Sequence, residues 1–225
     1  MRVVAVPVKG LGRSKTRLAA VLDPLQRGAL TLAMLEDVLD AALPQRGWET
    51  WVVSPDEAVL EIAARRGARP VAEEEPSLTA AVRQVEAMAS GEGATALAVL
   101  LGDLPLLTEE ALGAALRTLG PVVLAPARSD GGTNLLLRRP ADAIPSRFGR
   151  DSFARHRREA SARGLPVALV DRSELALDLD LPADVATILA TGVQNRTVEV
   201  CVGTGLAARL RSGTTRTRRG EASGP

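Results

Sequence analysis

Short apolar runs recur along the chain, each followed by a stretch where apolar positions return every third or fourth residue. The runs at 3–8 (VVAVPV), 50–54 (TWVVS), 97–102 (LAVLLG), 122–126 (VVLAP), 134–138 (NLLLR) and 166–170 (PVALV) predict strands. The first four are continuously apolar, as expected of strands covered on both faces. Leu25, Leu32, Leu35, Val38 and Leu39 fall on one stripe and predict a helix from about 24 to 43. Ser54-Pro55-Asp56-Glu57 reads as a capping box with proline at the first helical position, for a helix ending near Gly67. Thr108 followed by Glu109 and Glu110 predicts an N-cap with an acidic first turn. A helix starting at Ser152 (SFARHRREASARG) and a proline-started helix at 182–190 complete the series. Strand–helix alternation of this kind gives right-handed crossovers and an α/β fold with a mostly parallel, mixed sheet. Loops within 127–165 interrupt the rhythm. One domain, 1–190, is expected, followed by a tail.

In such sheets ligands bind beyond the carboxyl ends of the strands, so the residues just past each run become the candidates. After the first strand, Lys9, Arg13, Lys15 and Arg17 gather around Gly10 and Gly12. The stretch fails two phosphate-loop templates. A P-loop needs glycine before its lysine, but Ser14 precedes Lys15; a G-x-G-x-x-G fingerprint needs glycine where Lys15 stands. Glycines among cations nevertheless let backbone amides approach an anion closely. Asp103 emerges at the end of a fully apolar strand, a costly place for a lone carboxylate unless a cation meets it. Asp178 and Asp180 flank Leu179 after another apolar run, and in extended chain they share a face. Asp103 also reads as a turn or helix cap, and Asp180 as a cap for 182–190. Carboxylates converging from separate strand ends suit Mg²⁺, which takes hard oxygen ligands and is usually shared with substrate phosphates.

Composition narrows the chemistry. The 225 residues hold one histidine, His156, and one cysteine, Cys201, which speaks against a histidine metal cluster, a serine-type triad, a disulfide framework or a cysteine-rich zinc site. Aromatics are limited to Trp48, Trp51, Phe148 and Phe153, too few for the stacking platforms of single-strand nucleic-acid binders. No apolar stretch reaches the length of a membrane span and the start lacks a signal-peptide design, so a cytoplasmic protein is expected. Residues 191–225 carry six arginines and two glutamates while the preceding 190 sum to −3. That last segment is expected to be a disordered basic tail, and a slightly acidic body argues against nucleic acid as a partner.

Five segments in order, VPVK-x₅-KTRLA, GDLPLLT, GTNLLL, RFG-x-x-SF-x-RH and LDLDLPAD, resemble the guanylyltransferase family of deazaflavin coenzyme (F-420) biosynthesis over about residues 2–190. The resemblance implies a Rossmann-like, GT-A-type nucleotidyltransferase fold, with GTP activating phosphoenolpyruvate or 2-phospho-L-lactate. It implies Asp103 and Asp178 as Mg²⁺ ligands with Asp180 close by, and Thr133, Gly149 and Ser152 as contacts to the three-carbon acid. Thr79, in SLTAAV, stands where the family carries an asparagine near the base pocket; Leu181 replaces the family's threonine in D-x-D-T-P. Beside this, Ser152 opens a helix whose free amides favour an anion, and Arg147 and Arg150 offer charge-assisted hydrogen bonds. Lys9, Gly10, Gly12, Lys15 and Arg17 are assigned to the nucleotide, with Lys15 steadying the leaving pyrophosphate. His156 reads as a structural residue, because a phosphate dianion needs no general base. A homodimer is compatible with the resemblance, though no residue pattern reports it. The competing readings are a sugar-phosphate or molybdenum-cofactor nucleotidyltransferase and, outside enzymes, a nucleotide-binding regulatory protein.

Overall fold

Seven strands form one sheet in the computed structural model, which describes residues 1–75 and 77–210. They are β1 (Arg2–Pro7), β2 (Glu49–Ser54), β3 (Arg69–Ala72), β4 (Ala96–Leu100), β5 (Val122–Pro126), β6 (Thr133–Arg138) and β7 (Val167–Leu169), in the spatial order β3-β2-β1-β4-β6-β5-β7. Every neighbouring pair is parallel except the two that involve β6. The carboxyl ends of six strands therefore share one rim with the start of β6. Side chains alternate across the pleat: Val4 and Val6 enter the hydrophobic layer on one face, Val3 and Ala5 the layer on the other. Burial on both faces accounts for the continuously apolar strands.

Helices α1 (Pro24–Ala42), α2 (Glu57–Arg66) and α4 (Glu109–Arg117) cover the first face together with the single turn α6 (Ser173–Ala176); α3 (Leu78–Gly91) and α5 (Ser152–Ser161) cover the second. Asp23 and Gln26 form a reciprocal capping box at the start of α1, and Thr108 caps α4 as expected by accepting from the Ala111 amide. The expected box at 54–57 is corrected. Ser54 is the last residue of β2, and Asp56 is the N-cap of α2, accepting from the Ala58 amide. The strand claims Ser54, whose Oγ accepts the Asp56 amide at 3.2 Å and helps turn the chain, so the helix itself starts two residues later. The four-residue β3 escaped the sequence reading because only Val71 of its side chains is buried.

The expected start of the tail at 191 is also corrected. Helix α8 (Arg196–Gly203) follows α7 (Pro182–Ala190) and docks on α1. Val198, Cys201 and Leu206 join Leu30, Met34, Leu179 and Ile188 in a third apolar cluster. The first turn of α8 is held by the buried carboxylate of Asp37, which accepts the amides of Arg196 at 3.1 Å and Thr197 at 3.0 Å. Residues 211–225, the most basic part of the expected tail, lie outside the described residues.

Candidate active site

The chain leaves β1 at Pro7 and makes two short 3₁₀ turns, Leu11–Arg13 and Thr16–Leu18. Asp56 fastens this loop by accepting the Leu11 amide at 3.0 Å, and Thr31 of α1 donates to Ser14 Oγ at 2.8 Å. Between the turns Lys15 has φ 47° and ψ 39°, left-handed backbone that costs a non-glycine residue of the order of 1 kcal/mol. What it gains is position. Its ammonium, only 6% exposed as a side chain, donates to Asp103 Oδ2 at 2.7 Å and Asp180 Oδ1 at 3.0 Å.

Asp103 is placed by the turn that leaves β4. A Cβ on Gly102 would lie 3.0 Å from Val8 Cγ2 and 3.3 Å from Val6 Cγ1, so a side chain here would have to push those methyls aside for the turn to pass this close to β1. The acidic segment before α7 is tied to the same turn by the Leu179 amide, which donates to the Asp103 carbonyl at 3.1 Å. Leu179 points into the third cluster while Asp178 and Asp180 face the rim, as the alternation required. Asp180 is not the cap of α7. Its carboxylate takes Lys15 and, at 3.1 Å, Arg17; Asp184 accepts the amides of Asp180 and Leu181 and closes the helix start instead. The Asp184 amide, which a hydroxyl at Leu181 would accept, donates to the Leu181 carbonyl at 3.0 Å instead.

Charge and burial divide the three carboxylates. Burial alone would lower the Lys15 pKa, but Asp103 and Asp180 outweigh it and hold the ammonium above its usual value. Burial opposes ionisation of Asp180 too, yet Lys15, Arg17 and Lys9 hold it below the carboxylate range. Asp178 is 9% exposed and forms no ion pair among the described residues. Burial, reinforced by the charges of Asp103 and Asp180, pushes it up to about 6. Asp103 Oδ1 and Asp178 Oδ1 are buried with no hydrogen-bond partner. Two orphaned carboxylate oxygens on acids close enough for the charge of one to raise the pKa of the other ask for a cation. Among the described residues no group of three His, Cys, Asp or Glu side chains forms a complete metal cage. A hard divalent ion completed by phosphate oxygens fits the pair Asp103–Asp178 better than the trio with Asp180, whose oxygens are taken.

The expected acid-binding residues lie at the start of β6, on the same rim. The β5–β6 register slips at Ala125/Pro126, and adjacent side chains go separate ways: Asn134 Nδ2 donates to the Leu175 carbonyl on α6, whereas Thr133 turns to α5. Thr133 Oγ1 receives Ser152 Oγ at 3.1 Å and lies 3.0 Å from His156 Nδ1; His156 Nε2 accepts the Arg147 amide at 2.8 Å. Gly149, at φ 107°, makes the turn before Ser152 and its carbonyl accepts the Ser152 amide. Arg147 is brought here by its backbone, while its guanidinium pairs with Glu159 at 2.8 Å. Arg150 points outward, with a side chain 90% exposed. Lys9 and Gly12 are exposed on the first loop, Gly10 packs its backbone toward Pro55, and Thr79 is exposed in the first turn of α3, beyond the carboxyl end of β3. His156 is fully buried, edge-on to Phe148 and held well down, at about 4, by burial and by Arg138 and Arg155. Asp56 and Ser14, which set the loop, carried no signal beyond a capping pattern and a hydroxyl in a basic stretch.

A doubly covered, mostly parallel sheet whose carboxyl rim joins a glycine–lysine loop to a carboxylate after β4 and others from the segment between α6 and α7 is the design of a nucleotidyltransferase. The chain belongs to the CofC-like guanylyl transferases, whose family model matches residues 1–220. It is 43% identical over 190 residues to the phosphoenolpyruvate guanylyltransferase of Rubrobacter xylanophilus, covering 83% of this chain and 93% of that one. It is 46% identical over 198 residues to the 3-phospho-D-glycerate guanylyltransferase of Phenylobacterium zucineum, covering 85% and 90%. Among solved structures, a protein of Desulfovibrio desulfuricans G20 described as a nucleotide-diphospho-sugar transferase superposes with a TM-score of 0.78 at 20% identity, over 94% of this chain and 98% of that one, a likeness of fold.

Proposed function

We propose that the chain transfers the guanylyl group of GTP to a three-carbon phosphate, phosphoenolpyruvate first, in deazaflavin coenzyme biosynthesis. An oxygen of the acceptor's phosphate attacks the α-phosphorus; the bond to the β-phosphate oxygen breaks, pyrophosphate leaves, and a diphosphate link joins acid and guanosine. The acceptor is already ionised near neutral pH, so no side chain has to remove a proton. Lys15, with Lys9 and Arg17 nearby, meets the negative charge gathering on the leaving pyrophosphate. Thr133, Gly149 and Ser152 receive the acid, and the outward face of the first loop together with Thr79 receives the nucleotide. Asp103 and Asp178 would hold Mg²⁺, which when bound supplies charge neutralisation on the triphosphate. The observation that carries this reading is the pair of orphaned oxygens on Asp103 and Asp178 beside the buried Lys15 ammonium.

The test is pyrophosphate release with GTP, ATP, CTP and UTP against phosphoenolpyruvate, 2-phospho-L-lactate and 3-phospho-D-glycerate. Release with GTP and phosphoenolpyruvate supports the reading. The second acceptor to weigh is 3-phospho-D-glycerate, because the relative at 46% identity is named for it. GTP binding without pyrophosphate release from any acceptor would instead describe a nucleotide-binding regulatory protein. Asp103→Asn should keep the fold and lose at least a thousandfold in turnover, several kcal/mol of transition-state stabilisation. A cytoplasmic location belongs to the same reading; among the described residues no helix is long and apolar enough to cross a membrane. So does a homodimer, which sedimentation would detect.

A further inference from the structure

Three exchangeable hydrogens meet in the buried cluster at the start of β6: one on His156, one on Thr133 and one on Ser152. Their assignment follows from a single donor. The Arg147 amide can only donate, and it points at His156 Nε2 from 2.8 Å, so Nε2 carries no hydrogen and Nδ1 does. Nδ1–H then donates to Thr133 Oγ1 at 3.0 Å. The charged groups facing the imidazole are Arg138 from β6, Arg147 from the loop, and Arg155 and Glu159 from α5; with three guanidiniums against one carboxylate, a second proton on the ring is disfavoured. Ser152 Oγ donates to the same threonine oxygen at 3.1 Å. Thr133 therefore accepts twice, and the two contacts use two of the three hydrogens. Were the Ser152–Thr133 bond reversed, the leftover hydrogen would sit on Ser152; the count would not change.

We propose that His156 is a positioning residue that makes the Thr133–Ser152 hydroxyl pair a donor of one hydrogen bond, aimed at an ionised phosphate or carboxylate oxygen of the three-carbon acceptor. The inference rests on the function proposed above and deepens it by giving the acceptor subsite a polarity. A pair free to rotate could accept as well as donate. Both lone pairs of Thr133 Oγ1 are taken, by Nδ1–H and by the Ser152 hydroxyl, so at Thr133 the pair can only donate; that position favours a ligand oxygen that brings no hydrogen, and so the ionised acid over a protonated one or an alcohol. This also gives a functional reason for the lone histidine of the chain to be neutral: an imidazolium would place a hydrogen on Nε2 against the Arg147 amide.

The experiment compares His156→Leu, which removes both contacts of the ring, with His156→Gln, whose side-chain carbonyl can accept from Arg147 while its amide donates to Thr133. Each folded variant is measured for turnover, for KM of GTP and of the acceptor separately, and for phosphoenolpyruvate binding by calorimetry without turnover. The expected result is an acceptor KM and dissociation constant raised at least tenfold in His156→Leu, an unchanged KM for GTP, and recovery to within about threefold in His156→Gln. An acceptor KM unchanged in folded His156→Leu, an equal rise in the KM of GTP, or a glutamine variant as impaired as the leucine one would overturn the proposal. If His156→Leu does not fold, Thr133→Val and Thr133→Ser carry the same comparison, the first expected to lose the acceptor and the second to retain it. Failure of the wild-type protein to release pyrophosphate with any of the three acceptors would instead remove the underlying function.

Discussion

Lowering the pH should weaken this protein through one buried ring. In the folded chain His156 holds off its proton to about 4, whereas the unfolded chain takes it near 6.5. A group whose folded pKa is depressed in this way contributes stability that is complete above about 6.5 and is lost as pH falls toward 4, because the unfolded state binds the proton first. At about 1.36 kcal/mol per pH unit the full loss is about 3 kcal/mol. About 1 kcal/mol of it falls between pH 7.5 and 5.5, a sizeable share of the stability of an ordinary domain. Asp178 works the other way in the same window. Its folded pKa of about 6 lies above the unfolded value, so its ionisation costs stability as pH rises through 6, and acidification relieves that cost. The two are separated by difference: urea unfolding followed by far-UV circular dichroism, at pH 7.5 and 5.5, on the wild type and His156→Gln. The wild type should lose about 1 kcal/mol more than the variant over this interval. A difference below about 0.3 kcal/mol would show that the ring is not held neutral by burial and the surrounding arginines, and the tautomer argument would fall with it.

Other perturbations follow from the same geometry. Lys15→Met leaves Asp103 and Asp180 without their buried cation and should cost about 1–3 kcal/mol in urea, less than a fully buried pair because both carboxylates are partly exposed; millimolar Mg²⁺ should restore part of this stability, and no recovery would count against a metal between Asp103 and Asp178. Gly102→Ala forces a methyl to within 3.0 Å of Val8 Cγ2; about 1–3 kcal/mol of overpacking and reduced turnover are expected from chemical denaturation and pyrophosphate release, and a variant normal in both would mean the turn tolerates movement. Asp37→Ala strips two amides at the start of α8 of their acceptor and should cost about 1–3 kcal/mol, with amide exchange accelerated first in 196–203; unchanged protection there would contradict the docking of α8.

Much of this molecule is local information. Six of the seven strands declare themselves as apolar runs because both sheet faces are covered; α1 shows itself through its apolar stripe, and α4 announces its start through Thr108, whose capping chemistry needs only the next three residues. The candidate carboxylates were legible for the same reason: a charge at the end of a buried strand is conspicuous wherever it occurs, and Asp178 and Asp180 share a face by alternation alone. Their grouping was read from topology and resemblance, since ligands gather at one rim of a parallel sheet.

What the chain could not state locally depends on partners distant in sequence. The left-handed Lys15 has no propensity signal; it is tolerated because Asp103 and Asp180, 88 and 165 residues away, reward its position. The division of labour among the acids, two oxygens left unsatisfied and one carboxylate spent on Lys15 and Arg17, is a matter of ångströms that no spacing encodes. Helix α8 was read as tail because it was grouped with the arginine-rich residues that follow it, and because its anchor, Asp37, sits on α1. The state of His156 was fixed by one backbone amide at Arg147 and three arginines from separate elements. Burial, and the energy of a charge or hydrogen bond within it, exists only once the chain has folded.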